Sequence, residues 1–185
     1  MMQPTPMTDQ QLAQNVIAGD PRAVTLFYER YRYGLFRFCS RLLSDPVMAE
    51  DVVHDTFVIL MTKKDQLRDP SVLRSWIFTI ARNECITLLR KNKKFKAIAE
   101  HEEESVFEGP SERTESDERS KIAEKLLNAL LPQYKEVILL KEYEGMSYEE
   151  IAAVTETTVS SVKSRLFKAR RSMMKLMEPY TKGIL

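Results

Sequence analysis

Glycine is scarce in this chain, with five residues among 185, and no long run of apolar residues occurs. Apolar residues recur with the 3.6-residue period of an α-helix over long stretches. This pattern, together with the scarcity of glycine, favours helices over sheets. No apolar stretch approaches the length that a membrane-spanning helix needs. We therefore predict an all-α protein that does not insert into a membrane.

Cysteine is also rare, and its placement argues against two common uses of thiols. Cys39 and Cys85 lie within apolar helical patterns, no CxxC motif occurs, and His54 and His101 do not fall at metal-ligand spacing with them. We predict two buried thiols rather than a disulfide or a metal site. The first seven residues lack the basic and apolar segments of a signal peptide, so we expect a cytoplasmic location.

The usual signatures of catalysis are missing as well. We find no paired catalytic side chains, no glycine-rich phosphate loop and no metal cluster in the sequence. The sequence therefore predicts neither an enzyme nor a bound cofactor or metal.

The most informative stretch lies near the C-terminus. Ser147 and Glu150 have the spacing of a capping box at the start of a short helix, and residues 155–158 favour a turn. A longer helix follows from about Val159, and no acidic residue occurs between Val159 and Lys175. A short helix, a tight turn and a basic second helix predict a helix-turn-helix.

The second helix of this motif has two contrasting faces. Its apolar residues recur at three- and four-residue intervals, which predicts one buried stripe. Its other face combines cations with small hydroxyls, and such a face suits the major groove of DNA. From the residues alone, the alternative is a solvated basic helix of an ordinary bundle. The polar face consists of Ser160, Ser161, Lys163, Ser164, Arg165, Lys168, Arg171 and Lys175.

An acidic segment divides the chain. Residues 97–118 are rich in glutamate, poor in apolar side chains and interrupted by Gly109-Pro110. Such a segment cannot bury enough apolar surface to offset its ordering entropy. We predict a flexible linker at 97–118 between two small helical domains at 8–96 and 119–180. A weaker alternative is that the acidic segment shields basic surfaces when DNA is absent.

Helix starts in the first domain are marked by caps. Thr8 with Gln11, Asp20 with its following proline, and Asp45 with its following proline each predict a helix start. We expect the helix after Asp20 to give way to a third helix that carries the apolar residues of 35–42. A last helix of this domain is expected from about Val72.

Five short strings extend over nearly the whole chain apart from the linker. They are AEDVVHDTF at 49–57, SWIFTIARN at 75–83, Leu131-Pro132 with Val137-Ile138, GMSYEEIA at 145–152 and VKSRLFKAR at 162–170. In this order they resemble the extracytoplasmic-function sigma factors, the smallest sigma-70-like subunits of bacterial RNA polymerase. The resemblance implies a region 2-like helical bundle followed by a region 4-like helix-turn-helix.

The resemblance implies a polymerase contact on the helix at 50–60. In the family this helix docks on the clamp helices of the polymerase's largest subunit, and Asp51, Asp55 and Phe57 match positions expected there. An acidic face that carries an aromatic side chain also suits a basic partner helix. A solvated acidic face is the alternative from the residues alone.

The same resemblance implies that the helix containing Asn83, with the loop before it, opens the promoter at its minus-ten element. Opening requires a base outside the stack and basic side chains along the single strand. Asn83 is expected to bond a base edge, whereas Trp76 is expected to belong to the core. The expected phosphate contacts are Arg68, Arg74, Arg82, Arg90 and Lys91.

The second domain matches the part of the family that reads the minus-thirty-five element as duplex. Lysine stands at several positions where arginine is also common, and it lacks the bidentate fork, so base readout is expected to be softer. The expected contacts are Lys141, Ser160, Lys163, Ser164, Arg165, Phe167, Lys168, Arg170 and Arg171.

We therefore predict a non-enzymatic promoter-specificity subunit whose partners are core RNA polymerase and promoter DNA. The resemblance also implies an anti-sigma protein as a partner. The rival prediction is a conventional helix-turn-helix repressor or activator, which would dimerise on a palindrome. That rival leaves the residues from Asp51 to Asn83 without a role.

Overall fold

The computed structural model describes residues 7–98 and 115–181, which fold into helices with no strand among them. The predicted all-α class is confirmed. Most of the predicted linker at 97–118 lies outside the described residues. The helices are α1 (Asp9–Ile17), α2 (Pro21–Leu43), α3 (Pro46–Lys63), α4 (Leu73–Ile98), α5 (Glu115–Asn128), α6 (Pro132–Ile138), α7 (Tyr148–Val154) and α8 (Val159–Thr181).

Three short turns complete the backbone. The 3-10 turns Lys64–Gln66 and Pro70–Val72 connect α3 to α4, and α6 continues into the π-helical turn Leu139–Tyr143. None of the described helices is both long enough and apolar enough to cross a membrane.

The helices begin where their caps predict. Asp20 and Asp45 each accept a backbone N–H through their side chain, and each is followed by proline at the first helical position. At α7 the capping box is reciprocal, because Ser147 Oγ accepts from the N–H of Glu150 at 3.1 Å and the Glu150 carboxylate accepts from the N–H of Ser147 at 2.8 Å. These bonds satisfy backbone donors that a helix start otherwise leaves unpaired.

The prediction of two separate helices before Ser44 is wrong, because α2 runs unbroken from Pro21 to Leu43. Gly34 lies inside this helix, where glycine costs about 1 kcal/mol relative to alanine. The buried side chains of Leu35 and Phe38 offset that cost. A Cβ at Gly34 would lie 2.6 Å from Oε2 of Glu144, so any larger residue here would require the Glu144 carboxylate to shift.

The core of the first half lies among α1 to α4. The rings of Phe38 and Phe78 meet edge to face with their centroids 5.8 Å apart, and both side chains are almost fully buried. Cys39 and Cys85 are free thiols in the same interior, as predicted. A hydrogen bond with the Cys85 thiol, together with burial, raises the pKa of Cys39 well above its usual value.

The second half contains the predicted helix-turn-helix. Val162, Leu166 and Ala169 of α8 are buried, so the predicted apolar stripe faces the core. Glu156 in the turn has a φ of 51°, a left-handed conformation that reverses the chain between α7 and α8. The side chain of Thr158 then accepts from the N–H of Ser161 at 3.2 Å and caps α8.

The two halves of the chain also pack against each other. α4 contacts α7, and α2 contacts the π-helical turn. The buried residues of both halves form one hydrophobic cluster, and ion pairs join the halves around it. We call the surface where the halves meet the domain interface.

Candidate nucleic-acid and polymerase interfaces

The cationic face of α8 points away from the core. Because Val162, Leu166 and Ala169 turn inward, helical geometry places the residues between them outward. Phe167 is 67 % exposed among these cations, and an exposed aromatic ring can pack on a thymine methyl group. The exposed members of the predicted minus-thirty-five set are Ser160, Lys163, Ser164, Phe167, Lys168, Arg170 and Arg171.

Tyr148, on the first helix of the motif, supports two lysines of the predicted set. The ammonium groups of Lys141 and Lys163 lie 4.9 and 5.5 Å from the centre of its ring. Lys141 also donates to the carbonyl of Met146 at 2.9 Å. Sequence reasoning missed Tyr148, although its place directly after the Ser147 cap puts it at the start of α7.

Arg165 and Arg170, two members of the predicted minus-thirty-five set, have different environments. Arg170 pairs with Glu142 at 2.7 Å, but both side chains are about half exposed, so water weakens the pair. Arg165 is half-buried and pairs with Glu136 at 3.4 Å. Arg170 therefore lies with the exposed group, whereas Arg165 is paired within the second half, with the Glu136 carboxylate.

The predicted minus-ten residues fall into two groups. Arg68, Asn83, Arg90 and Lys91 are exposed along α4 and the loop that precedes it. Arg74 and Arg82 instead belong to the domain interface, where their guanidinium groups meet the second half. Trp76 is half-buried and packs on the core, in line with the prediction for it.

Arg74 and Arg82 each bond acidic residues of the second half. Arg82 Nε donates to the Glu136 carboxylate at 2.8 Å, and its Nη1 donates to Asn83 at 3.2 Å. Arg74 donates to the Glu150 carboxylate at 3.2 Å and also to the backbone carbonyl of Glu144. In this arrangement these two arginines are engaged within the chain itself.

The predicted polymerase-binding residues lie on α3. Asp51 and Asp55 are exposed, whereas Val52 and Thr56 on the same helix are buried. Phe57 is half-buried and meets the ring of Tyr28 edge-on, with the centroids 4.7 Å apart. The helix therefore presents an acidic surface, and Phe57 joins that surface to α2.

A shallow cavity of about 380 Å³ lies beside this acidic surface, between α2 and α3. Arg32 stacks over the ring of Tyr33 at 4.3 Å and donates to its hydroxyl at 2.9 Å. Sequence reasoning did not predict the cavity, because only the packing of α2 on α3 brings its lining together. The lining residues are Tyr28, Arg32, Tyr33, Phe36, Glu50, Val53 and His54.

Among the residues that the structure describes, no group of three or more histidine, cysteine, aspartate or glutamate side chains could hold a metal ion. The candidate sites described above are surfaces built from cations, carboxylates and aromatic rings. Such surfaces recognise nucleic acids and proteins.

Two family models match the chain, one on each half. The model of sigma-70 region 2 matches residues 27–95, and the model of sigma-70 region 4 matches residues 120–173. The first match spans most of α2, all of α3 and most of α4. The second spans most of α5 and continues through the helix-turn-helix into α8.

Curated relatives resemble nearly the full chain. The RNA polymerase sigma-H factor of Pseudomonas aeruginosa is 29 % identical over 184 residues, which cover 92 % of this chain and 94 % of that protein. The ECF RNA polymerase sigma-E factor of Escherichia coli K12 is also 29 % identical over 184 residues, with 94 % and 96 % covered.

Two solved structures share the fold. CnrH, solved in complex with the cytosolic domain of CnrY, is 26 % identical, with a TM-score of 0.72 and coverage of 92 % of this chain and 97 % of CnrH. The sigma factor RpoE of Bartonella quintana, solved with the anti-sigma factor NepR, is 30 % identical, with a TM-score of 0.71 and coverage of 83 % and 96 %.

The matches on both halves agree with each other and with the motifs in the sequence. Sigma factors are initiation factors and not enzymes, so the predicted absence of catalysis follows from the family. The chain belongs to the extracytoplasmic-function group of the sigma-70 family, and it is an RNA polymerase sigma factor that directs promoter-specific transcription.

Proposed function

We propose that this sigma factor divides its work between its two halves. Residues 8–96 bind core polymerase and open the minus-ten element, and residues 119–180 read the minus-thirty-five element as duplex. The observation that carries the proposal is the geometry of α8, whose apolar stripe is buried while Lys163, Phe167 and Lys168 remain exposed. A DNA-reading helix requires this division between a buried and a cationic face.

The second half reads DNA through that face of α8. Lys163 and Lys168 reach base edges or phosphates, Ser160 and Ser164 permit close approach, and Phe167 supplies an apolar contact. Arg170 and Arg171 extend the cationic surface along the helix, and Lys141 adds a phosphate contact from the turn after α6. Arg165 joins this set once it leaves Glu136.

The first half holds the single strand that opening produces. Asn83 bonds the edge of a base outside the stack, and Arg68, Arg90 and Lys91 grip the backbone. Arg74 and Arg82 take part after they leave the carboxylates of the domain interface. Energy gained on the unpaired strand shifts the duplex toward its open state.

The first half also docks on polymerase through α3. Asp51 and Asp55 face the basic clamp helices of the largest subunit, where opposite charges steer the encounter and fix the register. Phe57 supports this surface through its contact with Tyr28 of α2. Polymerase then sets the separation at which the two halves engage the two promoter elements.

An anti-sigma protein is the third partner. RpoE of Bartonella quintana, which shares this fold, was solved with the anti-sigma factor NepR, and CnrH was solved with the cytosolic domain of CnrY. We place the protein in the cytoplasm, where bacterial polymerase and its promoters are found.

Run-off transcription tests the function directly. Purified chain is added to bacterial core polymerase with a library of genomic promoter fragments, and the transcripts are sequenced. The proposal requires new start sites that share two upstream elements at constant spacing. Transcripts identical to those of core polymerase alone would contradict it.

A further inference from the structure

Arg82 lies between a buried carboxylate and the amide of the residue that follows it. Its Nε donates to Oε2 of Glu136 at 2.8 Å, and its Nη2 donates to Oε1 of the same carboxylate at 3.4 Å. Its Nη1 donates to Oδ1 of Asn83 at 3.2 Å. The guanidinium therefore bonds two groups at once, with its forked side on Glu136 and its remaining nitrogen on Asn83.

The contact with Arg82 fixes the orientation of the Asn83 amide. A guanidinium carries five N–H donors and no acceptor, so only the oxygen of an amide can bond it. The oxygen of Asn83 is therefore occupied, and its NH2 group is directed away from Arg82. Because Asn83 is exposed, a nucleotide at this surface meets N–H donors rather than the amide oxygen.

Burial restricts the side chain that holds this amide. The Arg82 side chain is 16 % exposed, and the Glu136 side chain is 3 % exposed. A guanidinium is planar and rigid, so engagement of its fork also fixes the position of its third nitrogen. Asn83 is therefore held by an ordered neighbour and not by a mobile surface cation.

Promoter DNA can replace the carboxylate without disturbing the contact with Asn83. A phosphate accepts two parallel N–H bonds from a guanidinium in the same forked geometry as a carboxylate. In the proposed complex, Nε and Nη2 of Arg82 bond a backbone phosphate in place of Glu136, while Nη1 stays on Asn83. One guanidinium then joins the backbone contact to the side chain that reads the base.

An amide that presents only donors distinguishes among the bases. A free asparagine bonds adenine twice, because it accepts from N6 and donates to N7. With its oxygen held by Arg82, Asn83 loses the bond from N6. Cytosine loses nothing, because its N3 and O2 atoms are neighbouring acceptors on the edge that an extruded base exposes.

We propose that Arg82 is a positioning residue that makes Asn83 a donor-only reader of the base outside the stack. The pair selects cytosine over adenine at that position. The inference rests on the proposed function, because it uses the DNA contacts assigned there to both residues. It goes beyond that function by giving Arg82 a role in base specificity as well as in phosphate binding.

The test variant is Arg82→Met, made in a chain that also carries Glu136→Gln so that no buried carboxylate loses its partner. Arg90→Met in the same background is the matched control, because Arg90 is an exposed arginine of the same helix with a proposed phosphate contact. Asn83→Ala identifies the promoter position that Asn83 reads.

Run-off transcription with core polymerase supplies the readout. The template is a promoter selected with the unmodified chain, and each minus-ten position carries all four bases in turn. At the position that Asn83→Ala affects, the Glu136→Gln chain is expected to favour cytosine over adenine about tenfold. Arg82→Met is expected to bring this ratio close to one, whereas Arg90→Met is expected to lower transcription from every template alike.

Two results would overturn the role of Arg82. A ratio that stays near tenfold in Arg82→Met, with less transcript from every template, would show that Arg82 contacts only the backbone. An equal fall of the ratio in Arg90→Met would show that loss of any nearby cation is enough. If Arg82→Met loses its helical circular dichroism, Arg82→Lys carries the same expectation, because an ammonium lacks the fork that serves two groups at once.

Failure of the proposed function gives a different result. It is seen as an absence of promoter-directed transcripts from the unmodified chain, and the inference then fails with it. If promoter-directed transcripts persist but favour adenine at that position, or if Asn83→Ala alters no base preference, only the inference and the assignment of Asn83 fail.

Discussion

The ammonium of Lys163 lies 5.5 Å from the centre of the Tyr148 ring, so the first helix of the motif supports a side chain on the second. The same ring also lies below Lys141, at 4.9 Å. A cation over an aromatic face is attracted by the quadrupole of the ring. Tyr148 therefore positions two lysines that we propose contact the minus-thirty-five element.

Replacing Tyr148 by alanine is expected to weaken binding of minus-thirty-five duplex about twofold to fivefold. This range corresponds to about 0.5–1 kcal/mol for an exposed cation–π contact. Tyr148→Phe keeps the ring and is expected to retain binding. Fluorescence anisotropy with a promoter selected by run-off transcription measures both variants. Equal losses in the two variants would show that the hydroxyl, and not the ring, is responsible.

Charge reversal on α3 is expected to abolish polymerase binding while the chain stays folded. In the variant Asp51→Arg with Asp55→Arg, two exposed carboxylates become cations that repel a basic partner helix. Co-elution with core polymerase on a sizing column measures binding, and circular dichroism checks the fold.

The matched control is Glu29→Arg with Glu149→Arg, which reverses two exposed acids on other helices. It is expected to co-elute with polymerase as the unmodified chain does. If the α3 variant also co-eluted, the polymerase surface would lie elsewhere on the chain.

Structural features that are set by residues close together in the sequence could be predicted from the sequence. The capping box of Ser147 and Glu150 spans three residues, and the buried stripe of α8 follows from its period. The break expected in α2 was wrong, because the tertiary packing that keeps this helix continuous involves residues distant in the sequence.

The domain interface could not be predicted in the same way. Arg82 and Glu136 are 54 residues apart, and Arg37 and Glu144 are 107 apart. Charged side chains at such separations show no period or spacing that marks them as partners. Arg74, Arg82 and Arg165 therefore looked like free DNA contacts in the sequence, and only the fold shows what they bond.

Truncation of Phe78 is expected to lower the free energy of unfolding by about 3–5 kcal/mol. Its ring is 1 % exposed and packs edge to face on Phe38, so Phe78→Ala leaves a cavity between α2 and α4. Phe167→Ala is the same chemical change at a ring that is 67 % exposed, and it is expected to stay within about 0.5 kcal/mol. Urea denaturation measures both, and similar losses would contradict the placement of the core.

Lys135 is expected to make stability depend on alkaline pH. Burial lowers the pKa of its ammonium from the ordinary value of 10.5, although Glu124 partly opposes this. Between the lowered pKa and 10.5 the unfolded chain binds more protons than the folded chain, so the contribution of Lys135 to folding improves as pH rises.

Lys135→Met keeps the length of the side chain and removes its charge, while Ser44 and Asn128 can still bond each other at 2.8 Å. The variant is expected to gain stability relative to the unmodified chain near neutral pH, and this gain should shrink as pH approaches 10.5. Urea denaturation across that range measures the difference, and Lys168→Met controls for loss of an exposed charge. A difference that stayed constant with pH would mean that folding leaves the titration of Lys135 unchanged.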